Sequence, residues 1–214
     1  METAVALRTG DADEVADVLL SILRGLGRRV DPVADADRGR TDERYDVSVT
    51  RSAPGWVVVR PHYVVPSDKL AVELTRRLQV LASAVVIYED VFWSHWLVDG
   101  GEVLDRHVNL PGYFGPGEFD DSWQGDPELV AQAVGADPAE IGPYFRQVSV
   151  RRARSRLLPP IRAHRSDSHT LLDGWVVTEM WRRMGIRWPD PSAGIRLPLG
   201  DEGTTLLSEG IRGY

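Results

Sequence analysis

Apolar and polar positions in the first hundred residues switch between two periods. Thr3–Leu7 alternates as a strand does. Asp11 and Glu14 stand at capping-box spacing. Val15, Val18, Leu19, Ile22, Leu23 and Leu26 then recur at helical spacing, one apolar face closed by Gly25 and Gly27. Residues 31–43 have no apolar period and predict a mobile loop. Tyr45, Val47 and Val49 alternate with Asp46, Ser48 and Thr50. Ala53-Pro54-Gly55 turns the chain into Trp56–Val59, which completes a hairpin. Ser67 is the expected N-cap of a second helix. Leu70, Leu74, Leu78 and Leu81 form its stripe, and Glu73, Arg76 and Arg77 are expected to face outward. Ala84–Tyr88 has strand length. Val91–Val98 and Val103–Leu110 flank Gly100-Gly101, a pair suited to the positive φ angles of a two-residue hairpin turn.

The order β-α-β-β-α-β followed by a hairpin predicts an α+β fold with a ferredoxin-like core over residues 1–110, extended by the hairpin. Two amphipathic helices would cover one face of its sheet. Residues 111–214 read as a second region packed on that core. Pro111–Gly125 is a Gly/Pro-rich segment carrying Tyr113, Phe114, Phe119 and Trp123, which predicts a packed loop across the sheet edge. Asp126-Pro127 and Asp137-Pro138 each open a short helix, and Gly142-Pro143 breaks the second. Asp173 begins a last helix with Trp175, Val176, Met180 and Met184 toward the core, stopped by Gly185. Trp181 falls off that stripe and is expected at a contact surface. From Trp188 onward the chain is expected to be extended.

The hairpin carries the most chemistry. With Gly100 and Gly101 as turn residues, Val91, Trp93, His95 and Leu97 oppose Leu110, Val108, Arg106 and Leu104. That face is mostly apolar, so it should meet the core with His95 opposite Arg106 inside it. A neighbouring Arg disfavours imidazolium and leaves His95 neutral, a base or acceptor. On the other face Ser94 opposes His107, and Asp105 lies two residues away. Ser, His and Asp on one face invite a hydrolase reading. It is set aside, because residues two apart on a strand sit about 7 Å apart and no Gly-x-Ser-x-Gly elbow is present. His95 and His107 are the candidate catalytic residues; the structural alternatives are that His95 and Arg106 snorkel from the sheet or one is satisfied by an Asp, and that Ser94, His107 and Asp105 form a half-exposed polar sheet face.

Composition narrows the classes. The 214 residues include no cysteine, which excludes disulfides, thiolate catalysis and Cys-based metal centres. The five histidines lack metal-ligand spacing, Asp120-Asp121 lacks the alternation of a calcium loop, and Gly112, Gly115 and Gly117 do not lead from a strand into a helix. No metal and no cofactor are expected. No apolar window is long enough for a membrane span, and the chain start lacks the pattern of a signal peptide. The expected address is the cytoplasm. Residues 1–150 carry 14 basic and 25 acidic side chains, which argues against nucleic acid as a partner. Lys69 is the single lysine among 25 basic residues, the bias of a GC-rich bacterial genome. Arg151, Arg152, Arg154 and Arg156 suit a phosphorylated ligand or acidic partner. The preferred expectation is that they neutralise the acidic body, within the chain or in a homo-oligomer.

The stretch Leu97-Val-Asp99-Gly-Gly-Glu102-Val-Leu-Asp105-Arg106, with Pro111-Gly-Tyr113-Phe114 and Trp123-Gln-Gly125-Asp126-Pro127, resembles a pattern in uncharacterised bacterial α+β proteins. The resemblance covers about residues 84–190 and brings no assigned activity. It implies that Asp105, Arg106, Tyr113, Phe114 and Trp123 hold the loop against the sheet. The expected function is binding of a protein or a small ligand, with Arg106, Tyr113 and Trp123 at the site. An immunity-type, host-protective role against a basic partner fits the acidic body. The alternative is a small cofactor-free enzyme with a His general base, in a pocket between the 111–125 loop and the 91–110 hairpin.

Overall fold

Asp11 Oδ1 accepts from the backbone N–H groups of Asp13 (3.1 Å) and Glu14 (3.0 Å), so the expected cap opens α1 (Ala12–Gly25). The computed structural model describes residues 1–25, 46–153, 159–190, 193–198 and 208. Leu26, Gly27, the expected loop at 31–43, Tyr45 and most of the C-terminal tail lie outside the described residues.

Before α1 comes β1 (Glu2–Leu7). After it follow β2 (Asp46–Ala53), β3 (Trp56–Arg60), α2 (Ser67–Leu78), β4 (Leu81–Tyr88), β5 (Phe92–Asp99) and β6 (Glu102–Val108). The short helices α3 (Pro127–Val134), α4 (Pro138–Ile141), α5 (Val150–Ala153) and α6 (Val176–Arg183) come next, and β7 (Ile195–Pro198) ends the described sheet. The architecture is α+β. Seven strands form one open antiparallel sheet in the order β6-β5-β4-β1-β3-β2-β7.

Side chains alternate across the sheet and feed two cores. Val5, Leu7, Val57, Val59 and Ala84 join Leu19, Leu23, Leu70 and Leu74 of α1 and α2. Ala4, Ala6, Val58, Val85 and Trp93 join Val130, Ile141, Val177, Met180 and Trp181 of α3, α4 and α6 on the opposite face. The central strands β1, β3 and β4 are accordingly mostly apolar, as strands covered on both faces must be.

Four local expectations need correction. Leu81 does not continue the α2 stripe: the helix ends at Leu78, Gln79 turns left-handed (φ 53°), and Leu81 begins β4 and packs on the opposite core. Ser67 is the first helical residue and Pro66 occupies the cap position, because Leu70 N–H bonds the Pro66 carbonyl (2.9 Å). Ser67 Oγ caps nothing and is buried without a partner. Glu73 is buried, with its carboxylate taking Arg76 Nη1 (2.9 Å) and Arg77 Nε (2.6 Å). Two guanidinium partners compensate a carboxylate that would otherwise have to face water. Trp181 is fully buried, and its indole N–H donates to Ser83 Oγ at 2.9 Å. The polar handle of the ring finds its partner in the sheet, so no contact surface is marked there.

The β5–β6 turn docks on α2. Gly100 (φ 55°) and Gly101 (φ 92°) both take positive φ, as expected of the pair. Gly101 N–H donates to Thr75 Oγ1 (3.0 Å), and a Cβ at this position would lie 2.9 Å from Arg76 Cβ. Positive φ and close approach both require glycine there.

Candidate functional site

One residue decides what the hairpin presents. Between the pairs Val98↔Val103 and Leu97↔Asp105 the register shifts, leaving Leu104 as the extra residue. Beyond this bulge the pairs are Leu97↔Asp105, Trp96↔Arg106, His95↔His107 and Ser94↔Val108. The expected pairing of His95 with Arg106 is therefore corrected, as is that of Ser94 with His107. A one-residue slip moves every later side chain to the other face. The physical reason lies in what each face can hold. Two neutral imidazoles enter the core at far lower cost than a guanidinium would. Bulges also belong on edge strands such as β6.

His95 and His107 are both fully buried on the face covered by α3, α4 and α6. Trp181 Nε1–H donates to Ser83 Oγ, which is also hydrogen-bonded to His95 Nε2 at 2.9 Å. His95 Nδ1 is buried without a partner. His107 Nδ1–H donates to the Gln124 carbonyl at 2.7 Å, leaving the Nε2 lone pair without a partner. Phe145 packs against both rings, at centroid distances of 6.1 and 4.9 Å. Burial, with repulsion from His107, lowers the pKa of His95 to about 3. Burial lowers that of His107 to about 4. Both are neutral core groups. Ser83→Ala is expected to cost about 1–3 kcal/mol in urea denaturation, because it strands the Trp181 donor and His95 Nε2 together. A loss below about 0.5 kcal/mol would show that this network carries little.

The other face of the hairpin is concave. Arg106 stands over the Trp123 ring, with its CZ atom 5.0 Å from the centroid, and donates to Ser122 Oγ. Ser122 in turn donates to Asp120, the N-cap of a short 3-10 turn at Asp121–Trp123. Trp96 meets Trp123 edge-to-face, with centroids 5.5 Å apart. Asp105 Oδ1 accepts from Asp126 N–H at 2.7 Å, while Oδ2 is buried without a partner. Burial raises the Asp105 carboxyl to about 6 despite that bond. Between these groups and the first turns of α2 lies a cavity of roughly 530 Å³. Its walls include Trp96, Trp123, Asp105, Arg106, Asp68 and Lys69.

Of the residues picked from sequence, Arg106 and Trp123 meet in this cavity. His95 and His107 lie on the opposite side of the sheet. Tyr113 sits apart, its hydroxyl on Glu89 Oε2 at 2.6 Å. Arg151 and Arg152 are on α5, with Arg151 exposed, and Arg154 and Arg156 lie outside the described residues. Among the described residues no His, Asp or Glu cluster could hold a metal ion. Sequence reasoning missed Lys69, Asp68 and Trp96 as cavity residues. Lys69 is the lone lysine of an arginine-rich chain, a signal that was there to be read.

Fold and site together define an open-sheet α+β protein with helices on both faces and a ligand-sized cavity at one sheet edge. No protein-family model, curated protein or solved structure matches the chain.

Proposed function

We propose that this chain is a small-ligand-binding protein built on a ferredoxin-like core, and that its site is the cavity between α2, the β5–β6 hairpin and Trp123. The ligand pairs a planar apolar portion with an anionic group. The observation that carries this reading is the Arg106–Trp123–Trp96 arrangement, a stacked guanidinium and two indoles facing one concave volume. Its size falls in the range of small-molecule sites, which runs from about 300 to 1,000 Å³. Arg106 offers a carboxylate or phosphate its planar donor edge. Lys69 adds a second cation that forms no ion pair among the described residues.

The strand order β4-β1-β3-β2 within the sheet, with α1 and α2 on one face, supports the ferredoxin-like reading. Kinship with the bacterial α+β proteins that the chain resembles belongs to the same proposal. No helix among the described residues is long and apolar enough to cross a membrane, and cytoplasmic residence is proposed with it. A concave cavity favours a small ligand over a protein partner. A histidine-base enzyme is disfavoured because both histidines lie across the sheet from the cavity.

The test is a panel of aromatic carboxylates titrated against their neutral amides by tryptophan fluorescence. The acids are expected to bind at least about tenfold more tightly, a difference of about 1.4 kcal/mol. Arg106→Ala is expected to remove that preference while leaving amide binding near its original level. Equal binding of acids and amides, or no saturable signal from either, overturns the proposal.

A further inference from the structure

We propose that a second cavity, at the β4–β5 turn, binds a small organic cation, an alkyl- or quaternary ammonium compound with an apolar arm. This volume of roughly 420 Å³ is lined by Tyr88, Glu89, Val91, Leu110, Tyr113 and Phe114 among others. Three of those residues are aromatic and in mutual contact. Tyr88 and Tyr113 have centroids 6.1 Å apart, Tyr88 and Phe114 5.5 Å, and Tyr113 and Phe114 5.0 Å. Among the described residues of the lining, Glu89 is the only one with a charged side chain. Aromatic faces and a carboxylate both attract positive charge and give an anion nothing to bind. The cavity beside α2 instead presents Lys69 and Arg106 together with Asp68 and Asp105, so the two linings differ in charge.

The turn that places Glu89 is unusual. Glu89 (φ 48°) and Asp90 (φ 57°) are both left-handed without being glycine. Surrounding contacts enforce this conformation. Asp90 accepts Gly174 N–H on its carbonyl (2.7 Å) and Trp175 Nε1–H on Oδ1 (2.9 Å). Gly174 has no space for a side chain, since a Cβ would lie 2.8 Å from Ile87 Cγ2 and 3.1 Å from the Phe92 carbonyl. The start of α6 thus clamps the turn, and Glu89 is held where its Oε2 meets the Tyr113 hydroxyl at 2.6 Å. Tyr113 then stays a neutral donor, its pKa raised to about 12 by that bond.

Exposure agrees with a ligand. Six large apolar residues are exposed among those described: Met1, Tyr63, Val91, Val103, Leu104 and Phe114. Val91 and Phe114 line this cavity, and Val103 and Leu104 line the other. Apolar surface left at the mouth of a concave site marks a place for binding.

The experiment titrates the intact chain with benzyltrimethylammonium and follows backbone amide shifts by NMR, with benzyl alcohol as the neutral control and phenylacetate as the anionic one. Saturable shifts are expected at residues 88–91 and 110–114 for the cation only. Glu89→Gln keeps an acceptor for Tyr113 and is expected to weaken the cation about tenfold. Phe114→Ala, at an exposed position, is expected to weaken it as well. Equal binding of benzyl alcohol, shifts centred elsewhere, no saturable shift, or an unchanged affinity in Glu89→Gln each overturns the proposal.

Discussion

Replacing Asp167 by alanine is expected to cost about 3–5 kcal/mol of folding stability. The carboxylate is completely buried, and both of its oxygens are engaged. Oδ1 takes Arg183 Nη2 at 3.0 Å, and Oδ2 takes Tyr144 OH at 2.8 Å and His164 N–H at 3.0 Å. Arg183, itself only 12% exposed, also donates to Tyr144 OH through Nε at 2.8 Å and pairs with Glu140. Removing Asp167 leaves a guanidinium, a phenol and a backbone donor without their shared acceptor. Removing one partner of a buried pair costs far more than the pair itself contributes. Guanidinium denaturation should show the loss directly, with a melting temperature lower by roughly 10 °C. Replacing both ions by apolar groups, Asp167→Leu with Arg183→Met, should recover a large part of it. A transition within about 2 °C of the parent for Asp167→Ala would show that the cluster is solvated in practice.

Stability is also expected to fall as the solution is acidified from pH 6.5 to 4. Burial lowers His95 and His107 to about 3 and about 4 in the folded chain, against 6.5 for a free imidazole. In that window the unfolded chain holds protons that the folded chain excludes. Their contribution is complete above pH 6.5 and is lost as pH falls toward the folded values, by up to about 1.4 kcal/mol per unit for each histidine. Asp105 acts in the opposite sense. Its carboxyl is raised to about 6, so between 3.8 and 6 the folded chain binds a proton that the unfolded chain has released. Both histidines contribute between pH 6.5 and 6; below that, Asp105 cancels one of them. The net slope from pH 6 to 4 is about 1.4 kcal/mol per unit. Urea denaturation at half-unit steps should trace it, and Asp105→Asn should steepen it. Stability that is flat or rising on acidification would contradict the burial of the two rings.

The helices and strands were legible because each rests on neighbours in the chain. Asp11 caps α1, Asp126 and Asp137 cap α3 and α4, and Gly135 ends α3 with φ 74°. The leucines of α1 and α2 fall on one stripe at any tertiary arrangement. The four rings of the 111–125 loop met other rings, with Phe92 against Phe114 and Phe119, and Phe119 against Trp123, but none of the four is fully buried and Phe114 is exposed. The candidate site was legible only in part. Arg106 and Trp123 were picked for it, and they do meet. Lys69 and Trp96 were not, because α2 approaches the hairpin only through long-range packing. The bulge at Leu104 has no mark in the sequence: Val103, Leu104 and Asp105 read equally well in either register.

Local chemistry alone therefore settled where elements start and stop, which faces are apolar, and that Gly100-Gly101 reverses the chain. Those properties depend on φ/ψ preferences and on side-chain spacing within a few residues. Packing settled the rest: which strand neighbours which, whether a histidine or an arginine enters the core, and that a concave volume opens beside Trp123. Such outcomes compare the desolvation of groups brought together from distant positions, and no window of the chain contains both sides of that comparison.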